Sequence, residues 1–267
     1  MSSRDEDDPG RDQGDLLDDP DADLDPGPAP ETDPEIGADG ADDPDGAEST
    51  AEAPKPPERR GDRDGRALAR ARELVEEQRI EDAVALYRKL IRRDPGHVKA
   101  RNNLGVLYDE MGAHERALEE FDGALEIVPE SVEILINKAS ALASLSRFEE
   151  AEHALRRAER LEPGAPDVRR ARGILSYRRG LYAEAVEALE TICRREPEDG
   201  VAQFYLGEAL NRVGRIEEAL DALEKAIEIQ PENHRAYYSL GILYDKLHLP
   251  QQAALMYRKS RKLQAPS

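Results

Sequence analysis

The chain has 267 residues and a formal net charge of −20, and that charge is concentrated at one end. The first 54 residues contain 20 Asp and Glu and 2 Arg, whereas the remaining 213 contain 38 acidic and 36 basic residues. A net-negative chain without a basic cluster is a poor nucleic-acid binder, because phosphate contacts need Lys and Arg on one face. Membrane insertion is not expected either, since the sequence has no apolar run of about 18 residues.

The N-terminus and the cysteine content both favour a cytoplasmic protein. Residues 1–8 are acidic and lack the apolar stretch that a signal peptide carries. Cys193 is the one cysteine, so it has no partner for a disulfide or a zinc site. Its position beside Ile192 in a predicted helix favours a buried, unreactive thiol. We therefore expect cytoplasmic localisation, no cofactor and no metal site.

Residues 1–62 form an acidic arm that is rich in Asp, Pro, Gly and Ala. Its large aliphatic residues are Leu16, Leu17, Leu24 and Ile36. They are too few to offset an ordering cost of about 1–2 kcal/mol per residue, so we expect the arm to be disordered.

Two short patterns in the arm resemble binding motifs. The spacing within residues 43–52 matches part of an EF-hand calcium loop, but Ala41 stands where the first ligand is needed and Pro44 interrupts the loop. A solvated acidic run is the favoured interpretation. The pair Leu16 and Leu17 could dock on a partner, although such pairs also arise easily by composition.

The remainder of the chain has an internal period of 34 residues. Proline recurs at this spacing, at Pro95, Pro129, Pro163, Pro197 and Pro231. Alignment on the prolines gives a column of small residues, Ala71, Gly105, Ala139, Gly173, Gly207 and Gly241. A second column is alanine in every copy, at Ala83, Ala117, Ala151, Ala185, Ala219 and Ala253. A bulky column contains Tyr87, Phe121, Leu155, Leu189, Leu223 and Tyr257, and a turn column contains Gly112, Gly180 and Gly214.

Each 34-residue unit has the pattern of a helical hairpin. Apolar residues recur at helical spacing on both sides of Gly112, and Pro129 ends the second stretch. The small-residue column allows two helices to approach closely, while the bulky column fills the space between hairpins. A single hairpin cannot bury its apolar face, so neighbouring hairpins must stack.

These columns resemble the tetratricopeptide repeat (TPR) family. The second unit meets the family pattern with Leu104, Gly105, Tyr108, Ala117, Phe121, Ala124 and Pro129. The fifth nearly does, with Leu206, Gly207, Leu210, Ala219, Leu223, Ala226 and Pro231. The resemblance implies an all-α fold over residues 63–267, a right-handed α-solenoid of six helix–turn–helix repeats. The predicted repeats are 64–97, 98–131, 132–165, 166–199, 200–233 and 234–267.

Some positions depart from the family pattern. Arg70, Lys138 and Arg172 stand where the family prefers Leu, which predicts looser packing in repeats one, three and four. The stretch 250–263 ends in four basic residues, and we expect it to form a capping helix with a polar outer face.

In the TPR family, the first helices of successive repeats line a concave groove that binds extended peptides or partner helices. Carried over column by column, the resemblance implies that the following residues face the groove: Lys99, Asn102, Val106, Asp109, Glu133, Ile136, Ser140, Arg170, Ile174, Tyr177, Phe204, Glu208, Asn211, Tyr238, Ile242 and Asp245. The pattern of a carboxylate clamp for chaperone tails is not met, because most of the required cations are missing.

Two features of this predicted groove suggest a ligand. Asn103 and Asn137 occupy the same column in adjacent repeats, and stacked amides can hold a peptide backbone whatever its side chains. The C-terminal half is richer in apolar groups, with Ile174, Tyr177, Phe204, Tyr238 and Ile242, and rigid aromatic anchors are a usual source of binding energy. The alternative is that some of these side chains are ordinary core.

No catalytic or phosphate-binding motif occurs in the sequence, and the five histidines have no metal-ligand spacing. We therefore expect a non-catalytic protein–protein interaction scaffold or adaptor with a protein or peptide partner. The alternative is a regulatory or assembly subunit that docks on an enzyme or on itself. A further hypothesis is that the acidic arm competes with an acidic partner for the groove.

Overall fold

The computed structural model describes residues 60–264. The predictions of a calcium loop and a Leu-pair motif fall outside this range, as does the arm up to residue 59. Twelve helices and no strand occur in the described residues. They are α1 (Arg60–Glu76), α2 (Ile80–Arg93), α3 (Val98–Glu110), α4 (His114–Ile127), α5 (Val132–Ser144), α6 (Phe148–Leu161), α7 (Pro166–Arg178), α8 (Tyr182–Arg195), α9 (Gly200–Val213), α10 (Ile216–Ile229), α11 (His234–Lys246) and α12 (Pro250–Gln264).

The helices pair into six hairpins, α1 with α2 through to α11 with α12, and each hairpin packs on the next. The predicted all-α fold, a right-handed solenoid of helical hairpins, is confirmed. We call the odd-numbered helices the first helices and the even-numbered ones the second helices.

Side-chain caps begin most of the first helices. His97, Ser131, Asp199 and Asn233 each accept a hydrogen bond from the backbone N–H three residues later. These positions are 34 residues apart or a multiple of that. In the fourth repeat Ala165 takes this position and Pro166 begins the helix instead, which its fixed φ favours.

The turn inside each hairpin uses one residue in the left-handed conformation. The glycines Gly112, Gly180 and Gly214 have φ of 76°, 80° and 84°, as the turn column predicts. The other three repeats adopt the same conformation with Gln78, Ser146 and His248, at φ of 60°, 59° and 57°. A side chain at this φ crowds its own backbone, so these three turns are strained where the glycine turns are not.

The small-residue and bulky columns are in direct contact. A Cβ built on Gly105 would lie 2.6 Å from the Phe121 ring, and one on Gly207 would lie 2.6 Å from Leu223 Cγ. Phe121 and Leu223 are fully buried. Glycine is therefore required because the next helix fills the space where its side chain would be.

The buried residues form two apolar clusters that divide within the fourth hairpin. The N-terminal cluster runs from Leu68 to Leu175, and the C-terminal cluster runs from Ala185 to Leu243. The fourth repeat also carries Arg172 in place of the family's Leu, and its guanidinium lies 3.5 Å from Glu152. Arg70 and Lys138, the other two departures, likewise pair with carboxylates.

Candidate functional site

Hydrogen bonds join each first helix from α3 to α11 to its neighbour. The bonds are Ser140 Oγ to Asp109 Oδ2 (3.3 Å), Arg178 Nη1 to Ser144 Oγ (2.7 Å), Tyr177 Oη to Glu208 Oε2 (3.0 Å) and Lys246 Nζ to Asn211 Oδ1 (2.5 Å). Every one connects neighbouring repeats. We call the first-helix side chains that make these bonds, together with those that line the two cavities described below, the first-helix face.

The amides predicted to form a ladder meet on this face in a different pairing. Asn137 Nδ2 donates to Asn102 Oδ1 at 3.0 Å, and Asn102 Nδ2 donates to Glu133 Oε1 at 2.8 Å. Asn102 is only 6% exposed, so it ties α3 to α5. Asn103 lies beside the hydroxyl of Tyr87.

All three amides line a cavity of about 480 Å³ between the first three hairpins, which we call the amide cavity. Its charged residues are Arg72, Glu76, Glu110 and Glu133. Partial desolvation, followed by the neighbouring Asp109, raises the pKa of the Glu110 carboxyl. The cavity is therefore polar, and carboxylates outnumber cations in its wall.

A second cavity, of about 200 Å³, lies between α5 and α7, and we call it the isoleucine cavity. Ile136 and Ile174 form its apolar wall, and Arg170 and Arg178 line its edge. Arg170 Nη1 donates to Asp199 Oδ2 at 2.7 Å, so its charge is already neutralised by the residue that caps α9.

The predicted aromatic patch is divided between core and surface. Phe204 is 4% exposed and lies beneath Arg235, whose guanidinium carbon is 5.1 Å from the ring centroid. Tyr177 is half-buried and packs on Tyr182 and Tyr205 with ring centroids 5.6 Å apart. Burial, followed by the Glu208 carboxylate, raises the pKa of Tyr177 to about 12.

The sixth repeat presents its residues differently. Tyr238 is 55% exposed and contacts the ring of Tyr257 at a centroid distance of 5.5 Å. Ile242 is half-buried on the same helix, α11, and Lys246 of this helix donates to Asn211 on α9. The predicted site residues thus occupy both cavities, a buried aromatic cluster and an exposed tyrosine.

Glu76 and Glu110 were missed by the sequence reasoning, although both line the amide cavity. The signal was present in the 34-residue period. These two glutamates share one column with Arg178, Arg212 and Lys246, so their position in the repeat places charge on this face.

The described residues can be examined for metal ligands and for a reactive thiol. Between residues 60 and 264, no group of three His, Cys, Asp or Glu side chains is placed to hold a metal ion. Cys193 is half-buried, and burial, followed by the Asp199 carboxylate, raises the pKa of its thiol to about 11. The thiol therefore stays protonated and weakly nucleophilic at neutral pH. None of the twelve described helices is both long and apolar enough to cross a membrane.

Sequence models of the tetratricopeptide repeat match residues 68–132, 136–199 and 177–234, and a further one matches residues 222–254. The chain belongs to the tetratricopeptide repeat family.

Among curated proteins, this TPR chain is similar to tetratricopeptide repeat protein 13 of Homo sapiens, with 28% identity over 145 residues. It is also similar to the protein CTR9 homolog of Arabidopsis thaliana, with 28% identity over 132 residues. These matches cover 52% and 49% of this chain, but only 17% and 12% of the two relatives. The chain thus spans less than a fifth of the curated relatives it matches.

Solved structures support the fold. A tetratricopeptide repeat protein from Parabacteroides merdae ATCC 43184 has a TM-score of 0.66 at 18% identity, covering 75% of this chain and 78% of that one. The APC/C hetero-tetramer Cut9–Hcn1 gives a TM-score of 0.64 at 15% identity, covering 74% of this chain and 39% of that one.

Proposed function

We propose that this TPR protein is a non-catalytic scaffold that binds a peptide or a partner helix along the first-helix face. The TPR fold in general supports protein–protein interaction. The observation that carries the proposal is the pair of cavities, since both lie on the first helices and one adjoins the other at Asn137.

The chemistry of the two cavities suits a peptide. Asn137 donates through Nδ2 to Asn102, while its Oδ1 accepts no hydrogen bond from residues 60–264 and is available to a backbone N–H. Ile136 and Ile174 offer an apolar wall to a side chain of the ligand. Binding therefore combines backbone recognition with burial of one apolar anchor.

Selection of peptides from a display library against the full-length protein tests this proposal. Peptides selected by the wild type should bind Ile174→Glu and Asn137→Ala about tenfold more weakly, because one change places a charge in the apolar wall and the other removes the amide. Binding would be measured by fluorescence anisotropy, with thermal unfolding by circular dichroism as a check on folding.

Ile127→Glu is the matched control, because Ile127 is 43% exposed on the second helix α4. It introduces the same charge away from the cavities and should leave affinity unchanged. Equal weakening by Ile127→Glu, or undiminished binding by both cavity variants, would contradict the proposal. If light scattering instead shows a stable dimer that selects no peptide, the assembly-subunit alternative is favoured.

A further inference from the structure

One column of the repeat changes sign along the solenoid. At or next to the last residue of each first helix, the six repeats carry Glu76, Glu110, Ser144, Arg178, Arg212 and Lys246. The first two repeats thus have a carboxylate at this position, the third a hydroxyl and the last three a cation. The column belongs to the first-helix face, since Glu76 and Glu110 line the amide cavity and Arg178 lines the isoleucine cavity.

The three cations make no ion pair with any carboxylate in residues 60–264. Arg178 donates to Ser144 Oγ at 2.7 Å and to the Ser140 carbonyl at 3.2 Å. The Arg212 guanidinium carbon lies 5.6 Å from the centroid of the Tyr182 ring, and Lys246 donates to the Asn211 amide. These partners are neutral, and Arg212 also contacts the Tyr177 hydroxyl, which donates to the Glu208 carboxylate.

Some arginines elsewhere on the surface pair with carboxylates, as Arg70 does with Glu77 and Arg147 with Glu150. Others, such as Arg88 and Arg116, pack on an aromatic ring instead. Arg178, Arg212 and Lys246 thus form a row of cations, without a direct carboxylate partner in residues 60–264, across three successive repeats.

Helix stability accounts for only half of this column. A cation at a helix C-terminus is favoured by the helix dipole, which would explain Arg178, Arg212 and Lys246. Glu76 and Glu110 stand at the same end of their helices, where the dipole disfavours a negative charge. Neither glutamate makes an ion pair within the described residues. The reversal of sign therefore needs a reason outside helix capping.

We propose that the ligand of the first-helix face is an extended acidic peptide whose carboxylates lie along repeats four to six. This inference rests on the proposed function and assigns the chemistry of its ligand. The carboxylates of such a peptide would pair with Arg178, Arg212 and Lys246, and the acidic wall of repeats one and two would repel the same segment. The acidic segment of the peptide is thereby confined to repeats four to six, while its other residues can reach Asn137 and the isoleucine cavity.

The spacing of the repeats sets the pattern of the peptide. Packed helices lie about 8–10 Å apart, and an extended chain advances about 3.3 Å per residue. Successive repeats therefore face every third residue of an extended ligand. A peptide with Asp or Glu at every third position presents one carboxylate to each of the three cations.

A charge-reversal experiment on the full-length protein tests this inference. The probes are a labelled synthetic peptide with Asp at every third position and the same peptide with Lys in place of Asp. Wild-type protein should bind the Asp peptide about tenfold more tightly than the Lys peptide, with an affinity that falls as salt is raised. The triple variant Arg178→Glu, Arg212→Glu, Lys246→Glu should reverse that preference.

A second triple variant, Arg194→Glu, Arg258→Glu, Lys262→Glu, controls for total charge. These three residues are exposed on second helices, so the variant makes the same change in net charge away from the face. It should keep the preference for the Asp peptide. Equal affinity of the wild type for both peptides, loss of preference in this control, or failure of both peptides to bind would overturn the inference.

The test separates this inference from the proposed function. If the Asp peptide fails while display-selected peptides still lose affinity in Ile174→Glu, the face binds peptides and only the acidic assignment is wrong. If the selected peptides also bind the cavity variants as tightly as they bind the wild type, the proposed function itself fails.

Discussion

Position within the solenoid, rather than residue type, decides what an aromatic side chain does. Phe204 and Tyr238 occupy the same column one repeat apart, yet one is 4% exposed and the other 55%. The difference arises because Arg235 on the next first helix, α11, covers Phe204, whereas no further first helix follows α11 in the described residues. The first is a core residue and the second a surface residue.

We expect Phe204→Ala to lower the free energy of unfolding by about 3–5 kcal/mol, since it empties a buried site. Tyr238→Ala should cost less than about 1 kcal/mol, because little of its surface is buried. Urea unfolding followed by circular dichroism measures both. Phe204→Leu, which preserves most of the volume, should cost less than Phe204→Ala, and equal losses at positions 204 and 238 would contradict this assignment.

At the scale of the element, the hairpin turn imposes one backbone conformation on six different sequences. Ser146 holds φ of 59° where Gly180 holds 80° in the next repeat. A left-handed conformation costs a non-glycine residue about 1–2 kcal/mol, and glycine loses about 0.5–1 kcal/mol through its greater freedom in the unfolded chain. The hairpins without glycine therefore contain strain that packing of their two helices overcomes.

Exchanging these turn residues should move stability in opposite directions. We expect Ser146→Gly to stabilise the protein by about 0.5–1 kcal/mol and Gly180→Ser to destabilise it by a similar amount. Differential scanning calorimetry would show midpoint shifts of a few degrees with opposite sign. Shifts of the same sign would show that contacts of the Ser146 side chain, not its backbone, determine the turn.

At the scale of the solenoid, stability is local because, among the described helices, each hairpin packs on its neighbours. The apolar core divides within the fourth hairpin, between Leu175 and Ala185. Phe121 belongs to the N-terminal cluster and Leu223 to the C-terminal one, and both are fully buried in the same column of the repeat. A defect on one side of the division should therefore weaken mainly its own half.

Hydrogen exchange measured by mass spectrometry can detect this division. Phe121→Ala should reduce amide protection in α2 to α6 more than in α9 to α11, and Leu223→Ala should produce the opposite pattern. The two variants control for each other, since each creates a cavity in an equivalent position. A uniform loss of protection along the chain in either variant would indicate that the two clusters unfold as one unit.

Much of the fold could be predicted because the same small set of columns is repeated six times. Periodic prolines, small residues and bulky residues are local signals, and their agreement in one register specifies stacked hairpins. The site was harder to predict. Helical spacing places Asn102 and Asn103 on neighbouring faces, but which of them bonds Asn137 depends on how α3 and α5 pack. The buried state of Phe204 depends likewise on a residue 31 positions later in the sequence.

The sequence by itself determined the 34-residue unit, the family and the contrast in charge between an acidic arm and a nearly neutral body. Each of these depends only on residue composition or on the repeat period. The tertiary structure alone decided which charges are left without partners. Arg170 is neutralised by Asp199, the residue that caps α9, whereas Arg178 donates to oxygens of Ser140 and Ser144. Pairing between side chains depends on distances across helices, and those distances are set only when the hairpins stack.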